Sequence, residues 1–213
     1  MGLNAMRLRV QDLILERGGR LLFAGLSFEA AAGEAVIVTG PNGAGKTRLL
    51  RALCGFLPAQ AGSFALEGGD DQLTVGEQAH YLGHADALKS ALTAGENLFF
   101  WAAALGGGVS RATVIEALAR VGLAHVVDFP VRTLSAGQKR RAALARLLVA
   151  HRPLWLLDEP TAALDAASQA AFAAILWGRV ASGGIIVVAT HAPLGIEGAK
   201  ELRLGAAERA GAF

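Results

Sequence analysis

Gly40-Pro41-Asn42-Gly43-Ala44-Gly45-Lys46-Thr47 decides the reading of this 213-residue chain. The spacing is G-x-x-x-x-G-K-T, which acts as a phosphate-binding loop when it joins a strand to a helix. Ala35-Val36-Ile37-Val38-Thr39 precedes it, a short apolar run rich in β-branched residues that predicts a buried parallel strand. Leu49, Leu50, Leu53 and Cys54 follow at helical spacing, so the required context is present. Glycines at 40, 43 and 45 let the backbone curl with its N–H groups turned toward phosphate oxygens, and Pro41, Asn42 and Ala44 complete the cradle. The helix that begins at Lys46 adds the positive end of its dipole. Lys46 is placed to reach the β- and γ-phosphates, and the Thr47 hydroxyl to ligate Mg²⁺. A nucleotide is the expected ligand.

Working outward, 53% hydrophobic residues over this length provide material for one α/β domain. Glycines and charges interrupt every apolar stretch well before eighteen residues, so no membrane-spanning helix is expected. The first residues, with Arg7, Arg9 and Asp12, lack the apolar run of a secretory signal. One cysteine excludes an internal disulfide and fits a reducing compartment; Cys54 reads as core filling. The net charge is only +2, and Lys139-Arg140-Arg141 is the one basic run, so nucleic acid is not an expected partner.

Before the loop, Leu13-Ile14-Leu15 and Arg20-Leu21-Leu22-Phe23 flank Gly18-Gly19, which predicts a hairpin. After it, Gly55 and Pro58 stop the helix, and Gly62-Ser63-Phe64-Ala65-Leu66 reads as a return strand. From about 87 to 131 the pattern turns helical. Thr93-Ala94-Gly95-Glu96 is a capping box leading into an apolar helix, Gly106-Gly107-Gly108 breaks it, and Ser110 caps a second helix carrying Val114, Ala117, Leu118 and Val121. Leu98, Phe99, Phe100 and Trp101 cannot all face one core, so at least one aromatic is expected at the surface.

Two later blocks complete a site. Leu134-Ser135-Ala136-Gly137-Gln138 pairs Ser135 with Gln138 in another capping box, ahead of a helix carrying Leu144, Leu147 and Leu148. By itself that is an ordinary helix start or an anion site. Leu154-Trp155-Leu156-Leu157 is an apolar strand that delivers Asp158 and Glu159 at its end. Such a pair suits the magnesium-and-water half of a phosphate-loop ATPase, with Asp158 toward the metal and Glu159 polarising the attacking water. Asp165 caps the next helix, and Ile185-Ile186-Val187-Val188-Ala189-Thr190 is a strand ending at His191, placed for a γ-phosphate contact. Glu159, His191 and Lys46 are the candidate catalytic residues.

The loop at 40–47, Leu-Ser-Ala-Gly-Gln at 134–138, Leu-Leu-Asp-Glu at 156–159, Ala-Leu-Asp at 163–165 and His191 resemble, in this order, the motifs of ATP-binding-cassette (ABC) ATPases. The resemblance covers essentially the whole chain. It implies an α/β fold of the P-loop NTPase type, with an antiparallel β subdomain, an ATP-binding core over 1–86 and 132–213, and a helical subdomain near 87–131. ATP and Mg²⁺ are the implied ligands. It further implies a head-to-tail homodimer, in which Ser135 and Gly137 touch the γ-phosphate of ATP held by the opposite subunit.

A narrower resemblance rests on Glu16-Arg17-Gly18-Gly19-Arg20-Leu21-Leu22-Phe23, Tyr81-Leu82-Gly83-His84 and Glu96-Asn97-Leu98-Phe99-Phe100-Trp101. These look like the ATP-binding subunit of the haem exporter of cytochrome c maturation. That family implies a peripheral subunit on the cytoplasmic face of a bacterial inner membrane, attached to integral membrane subunits. No direct haem binding by the chain is expected. Two positions depart from the general cassette pattern: Arg17 stands where an aromatic stacks on adenine, and His84 where a glutamine meets Mg²⁺. A guanidinium can also stack on a base. Two alternatives stay open, a soluble nucleotide-switched interaction protein and the ATPase of another small-solute transporter.

Overall fold

The computed structural model describes residues 6–205, with the side chains of Arg17 and Arg20 outside that description. The chain divides into two units, one made of residues up to Tyr81, Pro153–Glu159 and Gly178 onward, the other of Leu82–Arg152 and Pro160–Trp177. The segment 87–131 falls wholly within the second.

In the first unit, β1 (Arg7–Arg17) and β2 (Arg20–Ala31) form an antiparallel hairpin across Gly18-Gly19. Both glycines have positive φ, the conformation that lets a two-residue turn match the strand twist. β4 (Ala61–Glu67) pairs with the other edge of β1, giving the order β2-β1-β4. The buried residues of β1 are Leu8 and Val10, then Leu13 and Leu15, even positions followed by odd ones. A strict period of two would send one pair to solvent. The register shifts between Val10 and Leu13, where Asp12 has φ +50°, and this bulge turns both pairs inward. Gly62 of β4 lies against the bulge; a Cβ there would come within 2.4 Å of the Asp12 carbonyl oxygen.

The second sheet orders its strands β5-β6-β7-β3-β8, with β3 (Ala35–Thr39), β5 (Ala79–Leu82), β6 (Leu154–Asp158), β7 (Ile185–Ala189) and β8 (Lys200–Arg203). Every residue of β6 and β7 is buried, as expected for inner parallel strands covered on both faces. Each such Val, Ile or Leu contributes about 1.5–3 kcal/mol through removal from water. The register sets the site. Val38 of β3 and Asp158 of β6 both stand level with Ala189 of β7. The residues that follow these three strands therefore leave the sheet at one edge.

α1 (Lys46–Leu53) packs Leu49, Leu50, Ala52 and Leu53 into the core. It ends at Cys54, where Gly55 takes φ +76° and Phe56 N–H donates to the Arg51 carbonyl, a glycine-closed helix end. Cys54 is half-buried against the core, and burial pushes its thiol up to about 12. The thiolate is the reactive form, so alkylation by iodoacetamide at pH 8 is expected to run at least about 100-fold slower in the native chain than in denaturant. Comparable rates in the two states would show that the thiol is open to solvent.

The second unit is helical. α2 (Ala94–Ala104) starts at the Thr93–Glu96 capping box, α3 (Arg111–Arg120) at Ser110, and α4 (Ala136–Ala145) at the Ser135–Gln138 capping box. α4 tightens into a 3₁₀ turn over Arg146–Leu148, which carries Leu148 off the face on which Leu144 and Leu147 are buried. α5 (Ala166–Ala181) begins in this unit. On α2, Leu98 is fully buried and Phe100 is the exposed aromatic, at 41%.

Candidate nucleotide site

The phosphate loop crosses from β3 to α1 with Gly40, Gly43 and Gly45 at φ +133°, +85° and +100°. No side chain caps α1, so its first-turn N–H groups are open to an anion. Gly40 is needed for space as well as for conformation. A Cβ there would sit 2.2 Å from the Leu204 carbonyl oxygen, and Leu204 is tied by its N–H to Thr39 O at 2.8 Å. Gly40→Ala is expected to destabilise the chain by about 3 kcal/mol, read as a lower denaturant midpoint with unchanged slope. An unshifted midpoint would mean that the β3–β8 edge yields freely.

The Lys46 ammonium donates to Gly40 O at 2.6 Å and to Pro41 O at 3.3 Å, and lies 3.0 Å from His191 Nε2. An ammonium has only donors, so Nε2 accepts and the ring hydrogen sits on Nδ1. Thr47 Oγ1 donates to Asp158 Oδ1 at 3.1 Å, and Asp158 is only 4% exposed at the end of the buried strand. Glu159 takes φ +44°; its Oε2 accepts from Thr190 Oγ1 at 3.1 Å, and its Oε1 lies 4.0 Å from His191 Nε2. Asn42, Gly43, Gly45, Lys46, Thr47, Asp158, Glu159 and His191 line one cavity of about 420 Å³, within the range of small-ligand sites.

The residues fit a hard divalent cation as well as a phosphate chain. A hydroxyl and a carboxylate 3.1 Å apart supply two oxygens, and Mg²⁺ takes its remaining ligands from water and phosphate.

The other candidates lie elsewhere. Ser135 is exposed at the α4 N-terminus; its Oγ accepts from Gln138 N–H at 3.2 Å, which leaves the hydroxyl hydrogen to donate outward. Gly137 lies under Ala163, where a Cβ would come 3.4 Å from its carbonyl oxygen. His84 is exposed in the second unit and lines a cavity of about 310 Å³ there with Asp86, Ala136, Lys139, Arg140, Ala162 and Ala163. The Arg17 side chain falls outside the described residues. Arg48 and Leu22 also line the nucleotide cavity, and Thr190 orients Glu159; none of these stood out in the sequence. The signal for Arg48 was its place next to Thr47 on a helix whose other face is apolar.

Against known proteins, the ABC transporter family matches residues 23–162. The chain is 60% identical, over 95% of its length and 100% of the relative's, to the cytochrome c biogenesis ATP-binding export protein CcmA of Nitrobacter winogradskyi. The protein of the same name from Bradyrhizobium diazoefficiens is 55% identical over 94% of this chain and 98% of its own. Among solved structures, a bacterial Atm1-family ABC exporter with ATP bound superimposes with a TM-score of 0.81 at 27% identity, over 96% of this chain and 38% of that one. A putative ABC transporter ATP-binding protein from Pyrococcus furiosus shares the fold, with a TM-score of 0.82 at 22% identity over 93% and 97% of the two chains. The chain belongs to the ABC transporter family as one of its ATPases, and within that family to the cytochrome c biogenesis ATP-binding export proteins.

Proposed function

We propose that the chain is the energising subunit of a haem-export complex in c-type cytochrome biogenesis, working as a homodimer that shares two ATP sites. The observation that carries the ATPase half is the convergence of Lys46, Thr47, Asp158, Glu159 and His191 on one cavity. In this reading, Gly40–Thr47 cradle the phosphates, and Lys46 trades its contacts with Pro41 O and His191 for the β- and γ-phosphate oxygens. Thr47 and Asp158 would hold Mg²⁺, which would supply positive charge against the phosphate chain. Glu159 Oε1 takes a proton from the attacking water, while the Thr190 hydroxyl keeps the carboxylate aimed. His191 turns from Lys46 to the γ-phosphate. Ser135 and Gly137 of the second copy would close the site. Arg17 stacks on adenine.

The names of the relatives support the export role in cytochrome c biogenesis. In this reading integral membrane subunits carry the translocation, as the export role in the relatives' names implies; no helix among the described residues is long and apolar enough to cross a membrane. The second unit offers surface for them, exposing Phe100, Phe129 and Trp177. We place the complex at the cytoplasmic face of a bacterial inner membrane, with haem passing through the membrane subunits rather than binding to this chain. The test is affinity purification of the tagged chain from detergent-solubilised membranes. Integral membrane proteins whose presence stimulates Mg²⁺-dependent ATP hydrolysis, in a preparation that retains haem, are the expected result. A homodimer without membrane subunits would favour the soluble switch protein, and a stimulated complex indifferent to haem another transported solute.

A further inference from the structure

Arg140 is a charged residue left only 4% exposed, on a helix whose N-terminus presents Ser135. Its guanidinium reaches three acceptors on two other segments. Nε donates to Pro160 O at 3.1 Å, and Nη1 to Gly83 O and to Asp86 Oδ1, each at 3.1 Å. Gly83 and Asp86 bracket His84, and Pro160 opens the segment that leads to Ala163, whose carbonyl lies over Gly137. Further donors hold the His84 segment, one of them on the 3₁₀ extension of the same helix. Arg146 donates to Asp86 O at 3.2 Å, Trp101 Nε1 to Ala87 O at 3.1 Å, and Asn97 binds both the N–H and the carbonyl of Lys89. Ala87 takes φ +52°, which an alanine adopts only where its surroundings impose it. Arg140 and Arg146 both join the segment to the helix bearing Ser135, Arg146 from its 3₁₀ extension, and Arg140 also ties in the Pro160–Ala163 segment through Pro160 O. Removing a guanidinium from water without full pairing is unfavourable, so its contacts form and break together.

We propose that Arg140 is a positioning residue that locks the His84 segment and the Pro160–Ala163 segment to the signature helix, so that Ser135 and His84 move as one piece. The planar fork is required: a lysine carries its charge at one point and cannot reach Pro160 O and Gly83 O from two sides. This rests on the ATPase reading and on the role given there to Ser135 in the opposite site.

The test is steady-state ATP hydrolysis by the full chain, with Arg140→Gln and Arg140→Lys beside the wild type, across a range of ATP and of protein concentration. Nucleotide binding to the separate subunits is followed with a fluorescent ATP analogue. Both variants are expected to bind the analogue within about twofold of wild type, because the phosphate loop is untouched. Turnover is expected to fall about tenfold, and the protein concentration giving half-maximal turnover to rise, because a displaced Ser135 meets the partner's site poorly. A purely structural arginine would lower the melting temperature and the active fraction but leave that concentration dependence in place. Asp86→Asn retains an oxygen acceptor for Nη1, so it is expected to stay within about threefold of wild type and separates hydrogen bonding from charge pairing. Folded Arg140→Lys protein with wild-type turnover and concentration dependence would overturn the proposal. A wild-type chain that never hydrolyses ATP would instead overturn the functional reading beneath it.

Discussion

Glu159→Gln is expected to lower ATP turnover by about 10²-fold or more while leaving ATP binding in place. The Thr190 hydroxyl, 3.1 Å from Oε2, can donate to the amide oxygen as it does to the carboxylate, so the side chain keeps its aim. What disappears is a group able to take a proton from water. The bound triphosphate then persists, and with it the contacts that the proposed shared site gives to Ser135 and Gly137 of a second copy. The variant should therefore elute as a dimer on size exclusion with ATP and Mg²⁺, and as a monomer without them. Normal hydrolysis would remove Glu159 as the general base, and a variant that stays monomeric would remove the shared site.

Lys46→Ala is the second large effect. The ammonium stands where Gly40 O, Pro41 O and His191 Nε2 converge, so its loss leaves three acceptors facing an incoming polyanion with no cation between them. Loss of one preorganised donor to a developing charge lowers the rate by about 10²–10³-fold. Ground-state affinity is expected to fall too, because the proposed role puts the same cation against the bound phosphates. Titration calorimetry with ATP and Mg²⁺ should show weaker binding, in contrast to Glu159→Gln. Turnover within a few-fold of wild type would refute the role given to Lys46.

Much of this was legible before the structure. The phosphate loop, the buried strands around it, the two capping boxes and the hairpin all depend on neighbours within a few positions, and local chemistry encodes them. β8 was not legible, because Lys200-Glu201-Leu202-Arg203 is charged and mostly exposed. It holds its place through pairing with β3, a Thr39–Glu201 hydrogen bond at 2.6 Å and a Lys200–Glu34 ion pair, all long-range. That ion pair, with the Ala31 N–H, keeps the Glu34 carboxyl below the usual range. β5 was missed for a related reason: four residues containing His80 carry no period.

At the site, the motif residues could be read from the sequence, but their convergence depends on strand register, which no motif states. Arg140 lay in plain view as part of a basic run, and a run of three cations reads as a solvated face. Its acceptors are 20, 54 and 57 residues away in sequence, which is why the chain alone gave no sign of its burial.

If Glu159 is the general base proposed above, its left-handed backbone sets folding robustness and catalysis against each other at a single codon. An L-residue holds that conformation at a loss of about 1–2 kcal/mol, and glycine holds it freely. Selection for backbone stability alone would therefore drift toward glycine at 159, whereas the proposed general-base role would keep a carboxylate there. A library sorted by expression or protease resistance should enrich Glu159→Gly and present a dead enzyme as an improved one. Sorted by growth that depends on the transport cycle, the same library should discard it. Disagreement between the two screens marks where this chain gives up stability for chemistry.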